Sequence, residues 1–225
     1  MEIVGLFFLE LLTLFLLSRA LQKKISLFFY TLSGSIKVTV YLLAILFLPG
    51  TVIHEVAHYL MARLLFVTTG AMVLIPKLDG QSVKLGSVSI ARTDPFRRLL
   101  IGLAPFLVGT IIIIFLLFLT EKNGLWQTPL AIILILYALF EVGNTMFSSK
   151  KDLEGALFMG VFLIIVCGVL YLLGVTPSFH QLQNLLNDNI IHIFYQGVLY
   201  LLIPLGLDLA LIFVLSISLT LLRRG

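Results

Sequence analysis

Two histidines and a glutamate stand close together in the segment His54-Glu55-Val56-Ala57-His58. Residues four apart lie one turn above each other on the same face of a helix, so both imidazoles can reach a single point. Two imidazole nitrogens in that geometry can bind one zinc ion. Glu55 stands beside the first histidine, where a carboxylate can take a proton from zinc-bound water. The pattern predicts a zinc site with His54 and His58 as ligands and Glu55 as the general base.

The motif lies within a long apolar stretch. Residues 38–53 before it and 59–75 after it contain no charged residue except Arg63. A charged residue at the centre of a membrane helix costs roughly 2.5–3.5 kcal/mol to insert. That cost favours a metal site over the alternative, in which the two histidines are merely hydrogen-bonded between helices.

The whole chain is strongly apolar. Of its 225 residues, 60% are hydrophobic and 12% are charged, and the mean hydropathy is +1.14. Soluble proteins are about half apolar and about a quarter charged, so the composition predicts an integral, multi-pass membrane protein. The net charge of +4 comes from lysines and arginines near the ends of apolar runs, as in membrane proteins, so nucleic acid is not expected as a partner. The single cysteine, Cys167, cannot form a disulfide within the chain.

Apolar runs along the chain predict about six transmembrane helices. The mixed segment 19–37, which follows the first run, is interpreted as an interfacial connection. Pro49-Gly50 interrupts the second span one turn before His54, and proline bends a helix because it frees a backbone carbonyl. Thr93-Asp94-Pro95 predicts a helix start before the third span. The predicted spans are 3–18, 37–67, 99–120, 129–147, 155–175 and 196–222.

Between the second and third spans, residues 69–91 change character. Asp79-Gly80 stands between segments rich in β-branched residues, and this pattern predicts a β-hairpin at or in the membrane surface. The edge of such a hairpin could accept an extended peptide through main-chain hydrogen bonds, or the hairpin could be a structural lid. The predicted fold class is an all-α polytopic membrane protein. It is a single domain over residues 1–225, with about six transmembrane helices and a short membrane-associated β-hairpin after the second.

The lysines and arginines set the expected orientation. Six spans bring the basic residues of the hairpin region, Lys150-Lys151 and Arg223-Arg224 to one side, which the positive-inside rule makes cytoplasmic. Residues 176–195, without lysine or arginine, are then expected outside, and the basic residues of 19–37 do not fit this arrangement. His58 falls in the cytoplasmic half of the bilayer. The expected location is the plasma membrane of a prokaryote.

A catalytic zinc ion usually has three protein ligands and one open position for water, so the motif leaves one ligand to find. Asp152 is the first candidate, because the polar segment between the fourth and fifth spans could lie at membrane depth if it lines a cavity. Asp79 has a sufficient role in the hairpin turn, and His180 and His192 are expected on the opposite side. The other possible acidic ligands are Glu154, Glu141 and Asp208.

Three features accompany the His54-Glu55-x-x-His58 motif: residues 102–109 with Pro105 in the next span, the predicted hairpin, and Asp152 about ninety residues later. Together they resemble the site-2 protease family of intramembrane zinc metalloproteases, over roughly residues 38–160. The later motif of that family typically reads Asn, then Pro, then Leu-Asp-Gly. Here no proline follows Asn144, and Asp152-Leu153-Glu154-Gly155 stands in place of Asp-Gly.

The resemblance implies an intramembrane zinc endopeptidase with one Zn²⁺ per chain. It would hydrolyse a peptide bond within or next to a transmembrane segment of a membrane-anchored protein substrate, often after a first cut by another protease. The implied roles are zinc ligation for His54, His58 and Asp152, general base for Glu55, and hydrogen bonding to the substrate backbone or to the oxyanion for Asn144. The alternative is a non-catalytic membrane metal-binding protein or a metal transporter, although the paired repeats common in transporters are not visible here. The sequence leaves the oligomeric state open.

Overall fold

A computed structural model describes residues 2–73, 77–79, 82–84, 86–147, 165, 168–169, 171–172 and 188–222. For residues 77–79, 82–84 and 188–190 it describes the backbone only. The predicted ligand Asp152, its alternative Glu154 and most of the predicted fifth span lie outside these residues.

Helices make up most of the described chain. They are α1 (Glu2–Ser33), α2 (Ile36–Leu46), α3 (Leu48–Leu64), α4 (Pro95–Lys122), α5 (Pro129–Thr145) and α6 (Asp188–Leu222), with a short 3-10 helix at Leu125–Gln127. By length and composition, α1, α4 and residues 191–222 of α6 can each cross a membrane, and α2 with α3 passes the same test as a bent pair. The apolar helix α5 is shorter, with 17 residues. The helical membrane-protein class is thus confirmed, while the count of six spans stays a prediction.

The outer faces of the long helices carry large apolar side chains. Leu9 of α1, Ile111 of α4 and Phe213 of α6 are 57%, 65% and 67% exposed. Water would make such continuous apolar surfaces unfavourable, whereas lipid solvates them. These faces therefore suit contact with a bilayer.

The core lies between α1, α4, α5 and α6. Leu14, Ile113, Leu139 and Leu201, one from each of these helices, are fully buried within one cluster. The motif helix α3 packs mainly against α4 and α5. These two helices therefore decide where the motif side chains are held.

Helix α1 runs without interruption from Glu2 to Ser33. Residues 19–33 therefore continue α1, and the prediction that 19–37 is a connection is wrong for them, while the interfacial position of the segment stays a prediction. The lysines of this segment are good helix formers, and the buried Ser18, Leu21 and Ile25 continue the helical spacing of the apolar face. The charged residues of this segment thus do not mark the end of the helix.

The predicted bend before the motif is confirmed. Helices α2 and α3 meet at Phe47 with an angle of 69° between them, and Pro49 lies in the first turn of α3. Proline is favoured there because it has no N–H to leave unpaired and its φ is already helical. The break makes α3 a separate helix that begins at Leu48, six residues before His54.

The predicted antiparallel strand pairing over residues 69–91 is also confirmed, while its position at a membrane surface stays a prediction. Strands β1 (Thr69–Val73) and β4 (Ser87–Ile90) pair antiparallel, and so do β2 (Lys77–Asp79) and β3 (Ser82–Lys84). The β2–β3 pair lies between the other two strands in the chain, and Asp79 is paired with Ser82 next to the turn. Both β1 and β4 pack against α3, so the hairpin lies beside the motif helix.

Helix α4 begins where Thr93-Asp94-Pro95 predicts. Asp94 is the N-cap, and its Oδ1 accepts a hydrogen bond of 3.0 Å from the backbone N–H of Arg97. Further along, Gly109 lies so close to α5 that a Cβ there would be 3.0 Å from Met146 Sδ. The small residues of 102–109 thus allow α4 and α5 to approach closely.

Candidate metal site

The two motif histidines are each held by a backbone carbonyl of another helix. Nδ1 of His54 lies 2.6 Å from the carbonyl oxygen of Thr145, and Nδ1 of His58 lies 2.8 Å from that of Ile101. Because a carbonyl oxygen only accepts, both Nδ1 atoms carry the proton and donate it. In the neutral imidazoles, neither Nε2 atom then carries a proton, and an unprotonated nitrogen is what a metal ligand requires.

Neither carbonyl receives the usual backbone hydrogen bond from its own helix. Thr145 is the last residue of α5, and the last carbonyls of a helix have no partner within it. Ile101 lies four residues before Pro105 in α4, and proline has no N–H to donate to that carbonyl. A helix end therefore frees one carbonyl to accept from a histidine, and a proline frees the other.

The two Nε2 atoms converge. Nε2 of His54 lies 3.1 Å from Nε2 of His58, with the ring planes at 82°. Two nitrogen ligands on one tetrahedral zinc ion, each at 2.0–2.1 Å, are about 3.3 Å apart. Two lone pairs at this distance repel each other unless a cation or a proton lies between them. The donor pair therefore fits a shared metal ion.

Glu55 lies in the buried part of α3, with 7% of its surface exposed. Gly86, just before β4, packs on it from the hairpin. A Cβ at Gly86 would be 2.8 Å from Thr51 Cγ2, 3.0 Å from Glu55 Cγ and 3.2 Å from Glu55 Oε1. The backbone of the hairpin thus covers the predicted general base at a distance that only glycine permits.

Helix α5 contacts the end of α2 and the first half of α3 through hydrogen bonds at regular intervals. The Tyr137 hydroxyl donates to the Leu46 carbonyl (3.4 Å), the Gly50 N–H donates to Glu141 Oε2 (2.9 Å), and His54 donates to Thr145. Each pair is 91 residues apart, so the partners advance together along both helices. Helix α3 and α5 therefore run in the same direction, as predicted second and fourth spans would.

Asn144 is buried between α5 and α6. Its Nδ2 donates to Asp208 Oδ1 (2.9 Å) and to the Phe140 carbonyl (3.0 Å), and its own carbonyl accepts from Ser18 Oγ of α1 (3.3 Å). Within the described part of the chain, its Oδ1 has no hydrogen-bond partner. The side chain and the backbone carbonyl of Asn144 together thus link three helices, and the predicted contact of this residue with a substrate stays a prediction.

The structure places the other described candidates for the third ligand away from the two histidines. Glu141 faces the start of α3, and Asp208 accepts from Asn144. His192 is in α6, and Asp79 is in β2. Within the described ranges, no group of three or more His, Cys, Asp or Glu side chains could hold a metal ion. Asp152 and Glu154 lie outside those ranges.

Sequence reasoning missed the groups that orient the histidines. The carbonyls of Ile101 and Thr145 have no signature of their own, because every residue carries a carbonyl. Pro105 was a usable signal, since a proline within a helix frees the carbonyl four residues earlier. Gly86 was another, since an isolated glycine beside a strand often marks a close backbone approach.

No protein-family model, no curated protein and no solved structure matches this chain. The resemblance to site-2 proteases therefore depends on the motif residues and their surroundings alone.

Proposed function

We propose that this chain is an intramembrane zinc endopeptidase of the site-2 protease type. The observation that carries the proposal is the pair of Nε2 atoms 3.1 Å apart, each on an imidazole whose Nδ1 donates to a carbonyl. Such hydrogen bonds fix the tautomer and ring orientation of histidines that bind metals. The buried Glu55 on the same helix supplies the acid–base group that a merely structural zinc site does not need.

His54 and His58 would hold the zinc ion. When bound, zinc would polarise the scissile carbonyl and lower the pKa of a water molecule to about 7. Glu55 would accept the proton of that water and donate it to the leaving amine. The burial of Glu55 under Gly86 limits the positions of its carboxylate, which supports a defined path for the proton.

Asp152 is the proposed third ligand. Thr145 lies within hydrogen-bonding distance of His54, and Asp152 follows seven positions later, from 145 to 152. Seven residues can span at most about 25 Å. The chain after Thr145 is therefore long enough for Asp152 to reach the histidines if it turns back toward them. Glu154 is the neighbouring alternative.

The proposed substrate is a transmembrane segment of a membrane-anchored protein. Its peptide bonds must leave the helical conformation before they can be attacked, because helical carbonyls are already hydrogen-bonded. The β1–β4 sheet packs on α3 beside Glu55, and in the described sheet each of these strands is paired on one side only. An unwound segment could add to an open edge through main-chain hydrogen bonds.

The test is proteolysis of a single-span substrate reconstituted with the purified chain, together with metal analysis. We expect one zinc ion per chain, cleavage that a chelator abolishes, and recovery when zinc is added back. Glu55→Gln should keep the zinc and lose cleavage by about 10²–10⁴-fold.

Each component of this test can contradict the proposal. A chain without stoichiometric metal would mean that the histidines share a proton and not an ion. Zinc without cleavage would favour the metal-binding or transport alternative. Cleavage by Glu55→Gln at the wild-type rate would reject the general base.

A further inference from the structure

We infer that Glu141 is a positioning residue of the metal site, which acts by capping the N-terminus of the motif helix from a different helix. This inference rests on the proposed function and extends it to a residue that binds neither metal nor substrate. It also gives a reason for a buried carboxylate in an apolar helix.

The break between α2 and α3 creates the need for a cap. Phe47 ends one helix and begins the next, and its side chain makes no capping hydrogen bond. The first N–H groups of a helix have no acceptor within it, and an unpaired N–H in an apolar environment is costly. Thr51 N–H is satisfied by the Phe47 carbonyl (2.9 Å), and Pro49 has no N–H. Gly50 needs an acceptor from outside α3.

Glu141 supplies that acceptor. Its Oε2 lies 2.9 Å from the Gly50 nitrogen, and the side chain is 1% exposed. The positive end of the α3 dipole favours an oxygen-rich group at this position. Its Oε1 has no hydrogen-bond partner among the described residues, so the Gly50 contact is the observed role of this carboxyl group.

The cap is linked to the metal site by one turn on each helix. Gly50 precedes His54 by four residues, and Glu141 precedes Thr145 by four residues. Helices are rigid over a single turn, so the Gly50–Glu141 contact fixes where the Thr145 carbonyl meets His54 Nδ1. Loss of the cap would let α3 shift against α5 and weaken the hydrogen bond that orients this imidazole.

The experiment measures zinc affinity by competition with a chelator. Glu141→Ala should weaken zinc binding by about 10–100-fold, as loss of groups that support metal ligands does. Glu141→Gln keeps an oxygen acceptor for Gly50 and should stay within about threefold of wild type on the same principle. Glu10→Ala is the matched control, since Glu10 is also a buried carboxylate in an apolar helix, and it should leave zinc affinity unchanged.

A second measurement needs no metal. Hydrogen–deuterium exchange at the start of α3 should be faster in metal-free Glu141→Ala than in wild type, and unchanged in Glu141→Gln. If Glu141→Ala does not fold, Glu141→Asp can replace it, because the shorter side chain moves the carboxylate away from Gly50 by one methylene. This variant should show both the weaker zinc binding and the faster exchange. Wild-type zinc affinity in Glu141→Ala, or equal losses in the Ala and Gln variants, would overturn the inference. Wild-type protein that binds no zinc would instead contradict the proposed function, and the exchange measurement would still decide the role of Glu141.

Discussion

Gly86 and Glu55 are in contact, and the contact leaves no room for a side chain on the glycine. A Cβ at position 86 would be 3.0 Å from Glu55 Cγ and 2.8 Å from Thr51 Cγ2. The hairpin therefore approaches the motif helix through its backbone, directly over the carboxylate that we propose as the general base.

Gly86→Ala should move the Glu55 side chain while leaving both histidines in place. We expect cleavage to fall by about tenfold or more, because small displacements of a catalytic group are costly. Zinc content should stay at the wild-type level. The control is Gly206→Ala in α6, where a Cβ would meet nothing within 4 Å. Equal activity of Gly86→Ala and wild type would show that the hairpin does not limit the position of Glu55.

Pro105→Ala should lower zinc affinity without lowering the stability of the metal-free protein. An alanine at this position provides an N–H for the Ile101 carbonyl, which then competes with His58 Nδ1 for the same oxygen. We expect zinc affinity to fall by up to about tenfold, since groups that support metal ligands have effects of that order. The metal-free protein should unfold at a temperature no lower than wild type, because an N–H is restored to the helix. A variant with unaltered affinity would mean that the Ile101 carbonyl serves both donors equally well.

Gly50→Ala should destabilise the packing of α3 on α5. A Cβ there would be 2.7 Å from the Glu141 carbonyl oxygen and 2.8 Å from Thr145 Cγ2, and a helix backbone cannot yield as a side chain can. We expect the free energy of unfolding to fall by about 1–3 kcal/mol, as for other overpacked sites. Thermal unfolding in detergent measures this, with Gly5→Ala as the control because a Cβ at Gly5 would meet nothing within 4 Å. An unchanged unfolding temperature for Gly50→Ala would contradict the close approach.

Asp152→Ala should lower both zinc content and cleavage if Asp152 is the third ligand. Loss of one of three protein ligands leaves zinc with only two imidazoles, which is fewer than catalytic sites use. Glu154→Ala is the matched variant, two residues away, and should keep its zinc. The reverse pattern, with zinc lost from Glu154→Ala and retained in Asp152→Ala, would transfer the role to Glu154.

Asp94 gives the start of α4 a dependence on pH. The Arg97 N–H donates to this carboxylate and the Arg97 guanidinium lies near it, so the pKa of Asp94 is held below its ordinary value of 3.8. A lowered pKa means that the ionised group stabilises the fold at neutral pH, and that this contribution is lost as the pH falls through the folded-state pKa.

Asp94→Ala should therefore unfold at a lower temperature than wild type at pH 7, and the difference should shrink below pH 3.8. Asp94→Asn is the control, because asparagine caps a helix without titrating. A difference between wild type and Asp94→Ala that is equal at pH 7 and pH 3 would contradict the role of the charge.

The features that depend on neighbours in the chain were predictable from the sequence. Asp94 caps α4 as its position before Pro95 indicates, and antiparallel strands end at Asp79 and begin at Ser82, on either side of the predicted turn. These elements are set by backbone preferences that act over a few residues. The continuity of α1 past Arg19 was not predictable in this way, because lysine and arginine are compatible with a helix and do not mark where it ends.

The spacing of His54 and His58 was enough to place both on one side of an apolar helix, with Glu55 beside the first histidine. The groups that hold those imidazoles, the capping of α3 by Glu141 and the contact of Asn144 with Asp208 became known only from the packed helices. Helical spacing is a local property of the chain, whereas the pairing of helix faces depends on packing between apolar spans that carry little pattern to distinguish one face from another.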